Sequence, residues 1–233
     1  MSEITAIVIF LLFAVYIGVQ IVKNFLLRQL NSGLSRRDYE AVEKLAQMPA
    51  SRRLLGQYTC DLYQLRALYL DKDVPRFEEM LQHMMATEYK NPADKKSFLE
   101  QYYHTFLLKE NRKYADWLLD EIRKTGEEPF IRYNEQAYEV MLNRRSDLIE
   151  TMDAQIDSKK YYGFPLGVIL FMIARQYEYI HDTKHAIISY KNAKVCFPPK
   201  ALYVPAIQES LRRLEQPDGE EQGVRASSAA AAK

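Results

Sequence analysis

The chain is poor in glycine, with eight in 233 residues, and has only two cysteines and one tryptophan. Each scarcity excludes something. No glycine-rich phosphate loop, nucleophile elbow or paired-carboxylate constellation can be traced, so the sequence supports no enzyme. Cys60 and Cys196 lie far apart and match no zinc or redox spacing. They read as small buried hydrophobes in a reducing compartment. An excess of one charge is also missing: 32 Lys and Arg stand against 31 Asp and Glu. No global field recruits nucleic acid or an acidic substrate, so binding has to be local.

What is abundant points the other way. Hydrophobic residues make up 48 % of the chain and tyrosine alone contributes 17, the composition of a packed helical protein rather than a disordered one.

One long apolar run stands out, residues 4–22, "ITAIVIFLLFAVYIGVQIV", without a charge. As a helix rising about 1.5 Å per residue it spans roughly 28 Å, enough to cross a bilayer's hydrocarbon. Glu3 precedes it and Lys23, Asn24 and Phe25 follow, which is unlike a cleaved signal peptide, so the expectation is a retained single-pass anchor contacting the lipid bilayer. Lys23, Arg28, Arg36 and Arg37 gather on its C-terminal side, which places the rest of the chain in the cytoplasm and the N-terminus outside. A short N-terminal tail and the absence of organelle-targeting features suit a bacterial inner membrane. Ala14 and Gly18 form a small-xxx-small pair, a pattern also common in solitary membrane helices. Gly33 is expected to cap a short stalk, closing an anchor-and-stalk segment over residues 1–33, with a connecting helix at 34–50.

From residue 34 onward apolar residues recur at three and four, and nothing alternates as a strand would. The chain is therefore expected to be all-α. Breaks fall around Pro75, Pro92, Gly126 with Pro129, and Gly163 with Pro165, each proline suited to a helix's first turn. "KALYVPAIQESLRRLEQ" carries an apolar stripe of Leu202, Ile207, Leu211 and Leu214, with Glu209, Arg212, Arg213 and Glu215 opposite, as a capping helix requires. Residues 217–233 lack core-forming side chains beyond Val224 and are expected to form a disordered tail, its Ser/Ala end having the look of a cloning remnant.

Residues 167–200 supply a register. Leu170, Ala174 and Tyr177 fall on one helix, Ala186, Tyr190 and Ala193 on the next, and Pro198 closes the unit. This resembles a tetratricopeptide repeat, which wants small residues where its paired helices cross and bulky ones in the gaps. His181 stands at the turn where that family favours glycine. Phe77, Ala115, Ile149 or its neighbour, and Ala186 recur at steps of 38, about 34 and about 37 residues, close to the repeat length. The resemblance implies a helix-hairpin solenoid over residues 51–216. In such an array the first helix of each pair lines a concave groove for a protein or peptide partner. Carried over in register, it places Arg66, Tyr69, Glu100, His104, Asn134, Tyr138, Phe171, Arg175, Glu178 and Tyr179 on that face.

His181, Asp182 and His185 are the one arrangement suggestive of a metal. They straddle the turn between two helices, no third ligand is indicated, and no general base accompanies them, so the expected role is a solvated corner with Asp182 capping the next helix. His83 and His104 stand alone on their helices and read as packing or surface residues. No metal, cofactor or nucleic acid is implied. The sequence thus points to a membrane-anchored scaffold or adaptor. An alternative makes the membrane helix itself the specific contact, in an accessory subunit of a transport, secretion or envelope-synthesis complex. A metal-dependent hydrolase is the least supported reading.

Overall fold

A computed structural model describes residues 3–215. Among these described residues there are twelve helices and no strand, so the chain is all-α as its periodicity predicts. The tail expected at 217–233 lies outside them. The chain divides into two compact units, Met1–Ser97 and Phe98–Lys233.

Unit 1 begins with α1 (Glu3–Arg36), followed by α2 (Tyr39–Gln47), α3 (Pro49–Leu55), α4 (Gln57–Asp71) and α5 (Val74–Ala86). The division between the units falls inside α6 (Pro92–Leu108). Its core gathers Leu30, Val42, Ala46, Cys60, Tyr63 and Ala67, with Leu27, Leu34 and Leu55 packed at the edge. Full burial of a leucine such as Leu30 contributes about 2 kcal/mol, so the last turns of α1 are structural members of this unit.

One sequence expectation changes here. The stalk residues continue the apolar helix, and α1 runs through residue 33 to Arg36 without a break. Gly33 is not a cap. A Cβ there would sit 2.5 Å from Val42 Cγ2, so glycine serves the close approach of α1 and α2. The segment expected as a connecting helix is α2 plus the start of α3, part of the same core.

Unit 2 continues from α6 through α7 (Arg112–Lys124), α8 (Glu128–Met141), α9 (Ile149–Asp157), α10 (Phe164–Tyr179), α11 (Thr183–Cys196) and α12 (Tyr203–Glu215). Tyr103 of α6 donates to the Asn134 carbonyl of α8 at 2.8 Å, and Tyr179 of α10 donates to the Val140 carbonyl of α8 at 3.0 Å. The first helices of successive hairpins therefore lie side by side. The tightest pair is α10 with α11, where Ala174, Ala186, Tyr190 and Ala193 are all inaccessible, as the sequence register requires. Glycine is needed at 167 as well, because a Cβ would meet the Phe197 ring at 2.7 Å.

Four hairpin corners share one hydrogen-bonding scheme. Arg37, Lys72, Glu110 and His181 each adopt positive φ, between 52° and 63°. The next residue, Asp38, Asp73, Asn111 or Asp182, sends its N–H back five residues to Gly33, Leu68, Phe106 or Tyr177. Its side chain then accepts the N–H three residues ahead. This is a left-handed helix stop joined directly to an Asx cap. Four residues after each cap comes an inward side chain, Val42, Phe77, Ala115 or Ala186. The caps are separated by 35, 38 and 71 residues, the last being two repeat lengths. The corner between α8 and α9 differs: Leu148 has no side-chain cap of its own, and its N–H donates to Gln176 Oε1 of α10 at 2.8 Å. There the inward residue is Met152, rather than Ile149.

Prolines stand where the sequence reading puts them, in the first turns of α5, α8 and α10, with Pro92 opening α6. In α12, Ile207 and Leu211 face inward, and Glu209, Arg212, Arg213 and Glu215 are exposed.

Candidate functional site

Three of the ten residues assigned to a concave face are inaccessible: His104 and Asn134 are 0 % exposed and Phe171 is 2 % exposed. They cannot line an open groove, and the reason is a residue the repeat register does not include. Tyr203, at the start of α12, inserts between the first helices of unit 2. Its ring lies 4.7 Å from Phe171, 6.0 Å from Phe164 and stacks on Phe197 at 5.2 Å. Its hydroxyl reaches His104 Nδ1 at 2.7 Å. The protein's own side chain fills this part of the trough.

The electrostatics fix the roles in that contact. Burial pulls the His104 imidazole down to about 3, against a smaller upward pull from the Asn134 amide. Burial also pushes the Tyr203 phenol well up, so its O–H donates to Nδ1 of a neutral ring. The ring proton then sits on Nε2. His104 Nε2 and Asn134 Oδ1 are both shielded from solvent without a hydrogen-bond partner, while Asn134 Nδ2 donates to the Phe130 carbonyl at 2.7 Å. Tyr203 and His104 thus pin α12 to α6.

Most of the remaining groove residues are engaged within the chain. Glu100 accepts from the Tyr133 hydroxyl. Tyr138 donates to Asp116 at 2.6 Å beneath the Arg112 guanidinium. Arg175 lies 5.2 Å from the Tyr179 ring and 3.7 Å from Glu178, which also accepts from Tyr190 and from Arg213. In unit 1, Tyr69 is half-buried against Phe77, and Arg66 alone of the ten is exposed.

Unit 2 does present an open cleft, of about 600 Å³, between the first turn of α8 and the last turns of α9. Glu128, Arg132, Thr151, Gln155, Lys160 and Tyr161 contribute to its walls. Gln155 Nε2 donates to Gln136 at 2.9 Å, whereas Gln155 Oε1 is shielded from solvent and has no partner. Arg132 and Lys160 are exposed cations beside it, and Tyr161 is half-buried. Sequence reading sees only a break here, because "YYGFP" signals where a helix starts and not what the preceding loop encloses.

The His181–Asp182–His185 corner is the last of the four hairpin corners. Asp182 caps α11 through the His185 N–H at 3.1 Å, as expected, and its other oxygen meets His185 Nδ1 at 2.7 Å. Those bonds hold its carboxyl below the usual carboxylate range. His185 stacks on Tyr177 at 5.1 Å. His83 is exposed at the end of α5, and both cysteines are free thiols. The chain matches no family model, no curated protein and no solved structure.

Proposed function

We propose that the protein is a membrane-anchored adaptor of the tetratricopeptide-repeat type, holding a helical-hairpin domain at the cytoplasmic face and docking a protein or peptide partner there. One observation carries the anchoring. Along α1 from Ile7 to Val15 the large apolar side chains are exposed on every side of the helix, whereas from Leu27 onward the same helix buries one face in a core. Such an all-round apolar surface is stable only when lipid covers it. Lys23, Arg28, Arg36 and Arg37 support the cytoplasmic orientation. Docking is carried by the α8–α9 cleft rather than by the filled trough. Arg132 with Lys160, both exposed on its walls, suits a carboxylate on a partner segment.

A photo-crosslinking residue at position 161 in the full-length protein tests this in cells. A single defined adduct is expected, lost when Arg132 and Lys160 are both changed to Glu with the helical content intact. An adduct indifferent to that charge reversal removes the cleft. Protease added outside intact cells tests the orientation, and digestion of residues 37–215 overturns it. The open face at Ala14 and Gly18, where a Gly18 Cβ would meet nothing within 4 Å, favours a second reading in which α1 contacts another membrane subunit. Replacing residues 4–22 with an unrelated membrane helix separates the two: retained docking supports the adaptor.

A further inference from the structure

α1 runs without a break from its apolar segment into the core of unit 1. We infer that the α3 end of this unit is a headgroup-binding surface, seated on the anionic lipid of the leaflet from which α1 emerges. The inference rests on the reading of α1 as a membrane span.

Depth comes first. If the hydrocarbon ends near Val22, Leu27 stands five residues beyond it, about 8 Å at 1.5 Å per residue, which is roughly the thickness of one headgroup layer. Leu27 already packs on the core of unit 1. The unit is therefore held against the bilayer by a continuous helix, with no linker to lift it away.

Topology then selects the end that faces the lipid. After the corner at Arg37 and Asp38 the chain turns back along α1, bringing Val42 against the Gly33 turn and Ala46 into the cluster with Leu30. The end of α2 points toward the bilayer, so α3, which touches α1 and sends Leu55 into the same cluster, lies at the membrane-proximal end.

The chemistry of that end matches an interface. Met48 and, on α3, Pro49, Ala50 and Arg53 face outside, while Ser51 is buried. On α1, Phe25 is 57 % exposed, Arg28 is exposed and Lys23 is half-buried. Apolar side chains beside arginine are what a headgroup boundary accommodates, the stems in the acyl edge and the guanidinium on phosphate. No carboxylate opposes them on α1 between residues 4 and 36 or on α3. Arg52 is committed to Asp61 at 2.8 Å. The Tyr58–Tyr89 ring contact brings residues 88–96 to the same end, where Glu88 is paired with Lys95, and Asp94 is outnumbered by Lys90 and Lys96. The local balance stays basic.

The test uses the full chain in nanodiscs of phosphatidylcholine alone or doped with phosphatidylglycerol, read by hydrogen exchange. Amides of residues 50–55 are expected to exchange at least about five-fold more slowly in the anionic discs, the factor one arginine contributes near such a surface. Salt should erase the difference. Arg28→Gln with Arg53→Gln should remove it, and Arg53→Lys should keep it. Equal exchange in both discs, with the protein still resistant to carbonate extraction, overturns the headgroup surface and leaves the anchor standing. Extraction by carbonate from both discs overturns the anchor and this surface together.

Discussion

The two units bury a polar group at the centre in opposite ways. In unit 1 it is a charge: Asp61 is inaccessible and accepts from Arg52 at 2.8 Å and from the Tyr89 hydroxyl at 3.2 Å, with His83 Nε2 3.9 Å away. Burial and the Asp61 carboxylate together push the Tyr89 phenol upward, so it stays a donor. In unit 2 it is a neutral ring, His104, held by the Tyr203 hydroxyl. A buried charge has to keep its counter-ion, whereas a buried neutral group only has to keep its hydrogen bonds and stay deprotonated. The first unit is therefore vulnerable to loss of a partner, the second to acid.

That contrast can be broken most completely by truncation. Deleting residues 1–33 removes Leu27 and Leu30 from the core of unit 1 but nothing from unit 2. Amide protection is expected to vanish across residues 34–97 and persist across 98–215, while deletion of residues 1–22 leaves both units protected. Next in size is Asp61→Ala, which strands Arg52 and Tyr89. Because Arg52 keeps about a third of its exposure, the loss should be about 3 kcal/mol, the low end for a broken buried pair, visible as faster exchange confined to unit 1.

Acid probes the other unit. The unfolded chain's His104 takes up a proton below 6.5, the folded unit's only below about 3, so unfolding binds a proton in that window and stability falls as pH falls through it. At pH 5 the loss is on the order of 2 kcal/mol relative to neutral pH. His104→Gln should flatten the slope of unit 2's exchange-derived stability with pH, and an unchanged slope would move the acid sensitivity to another group. The smallest effect expected is at a corner: Asp182→Ala removes the cap of α11 and should lower the melting temperature slightly, with Asp182→Asn recovering most of the loss in thermal melts.

Sequence reading succeeded where the physics is local. Residues 7–22 show their apolar character without any neighbour, and proline at the first turns of α5, α8 and α10 declares a helix start through its own φ and missing N–H. Ala174 and Ala186 were legible as a close crossing because small residues recur at a known spacing. The corners were written in the chain too, as Asp38, Asp73, Asn111 and Asp182 four residues before a buried side chain, but of these only Asp182 is read as a cap from the sequence. The residue ahead of each cap is Arg, Lys, Glu or His, where a left-handed stop is expected to announce itself with glycine.

The groove failed for a different reason. Helical register assigns His104, Asn134 and Phe171 to a face, but it cannot tell what packs there. Tyr203 comes from 99 residues beyond His104, and its hydroxyl finds the imidazole only after the hairpins have stacked. Gly33 misled in the same way, since a glycine near a helix end and a glycine beneath a crossing helix look alike until Val42 is in place.

From its residues alone, then, this chain specifies helices, their starts and stops, and one segment that water will not cover, because backbone hydrogen bonds and caps close within about five residues. Tertiary structure alone decided that the end of the long apolar helix belongs to the first core, that Tyr203 fills the space beside His104 and Phe171, and that a cleft opens between α8 and α9. Those outcomes depend on which surfaces exclude water from each other, and that is settled between residues far apart in the chain.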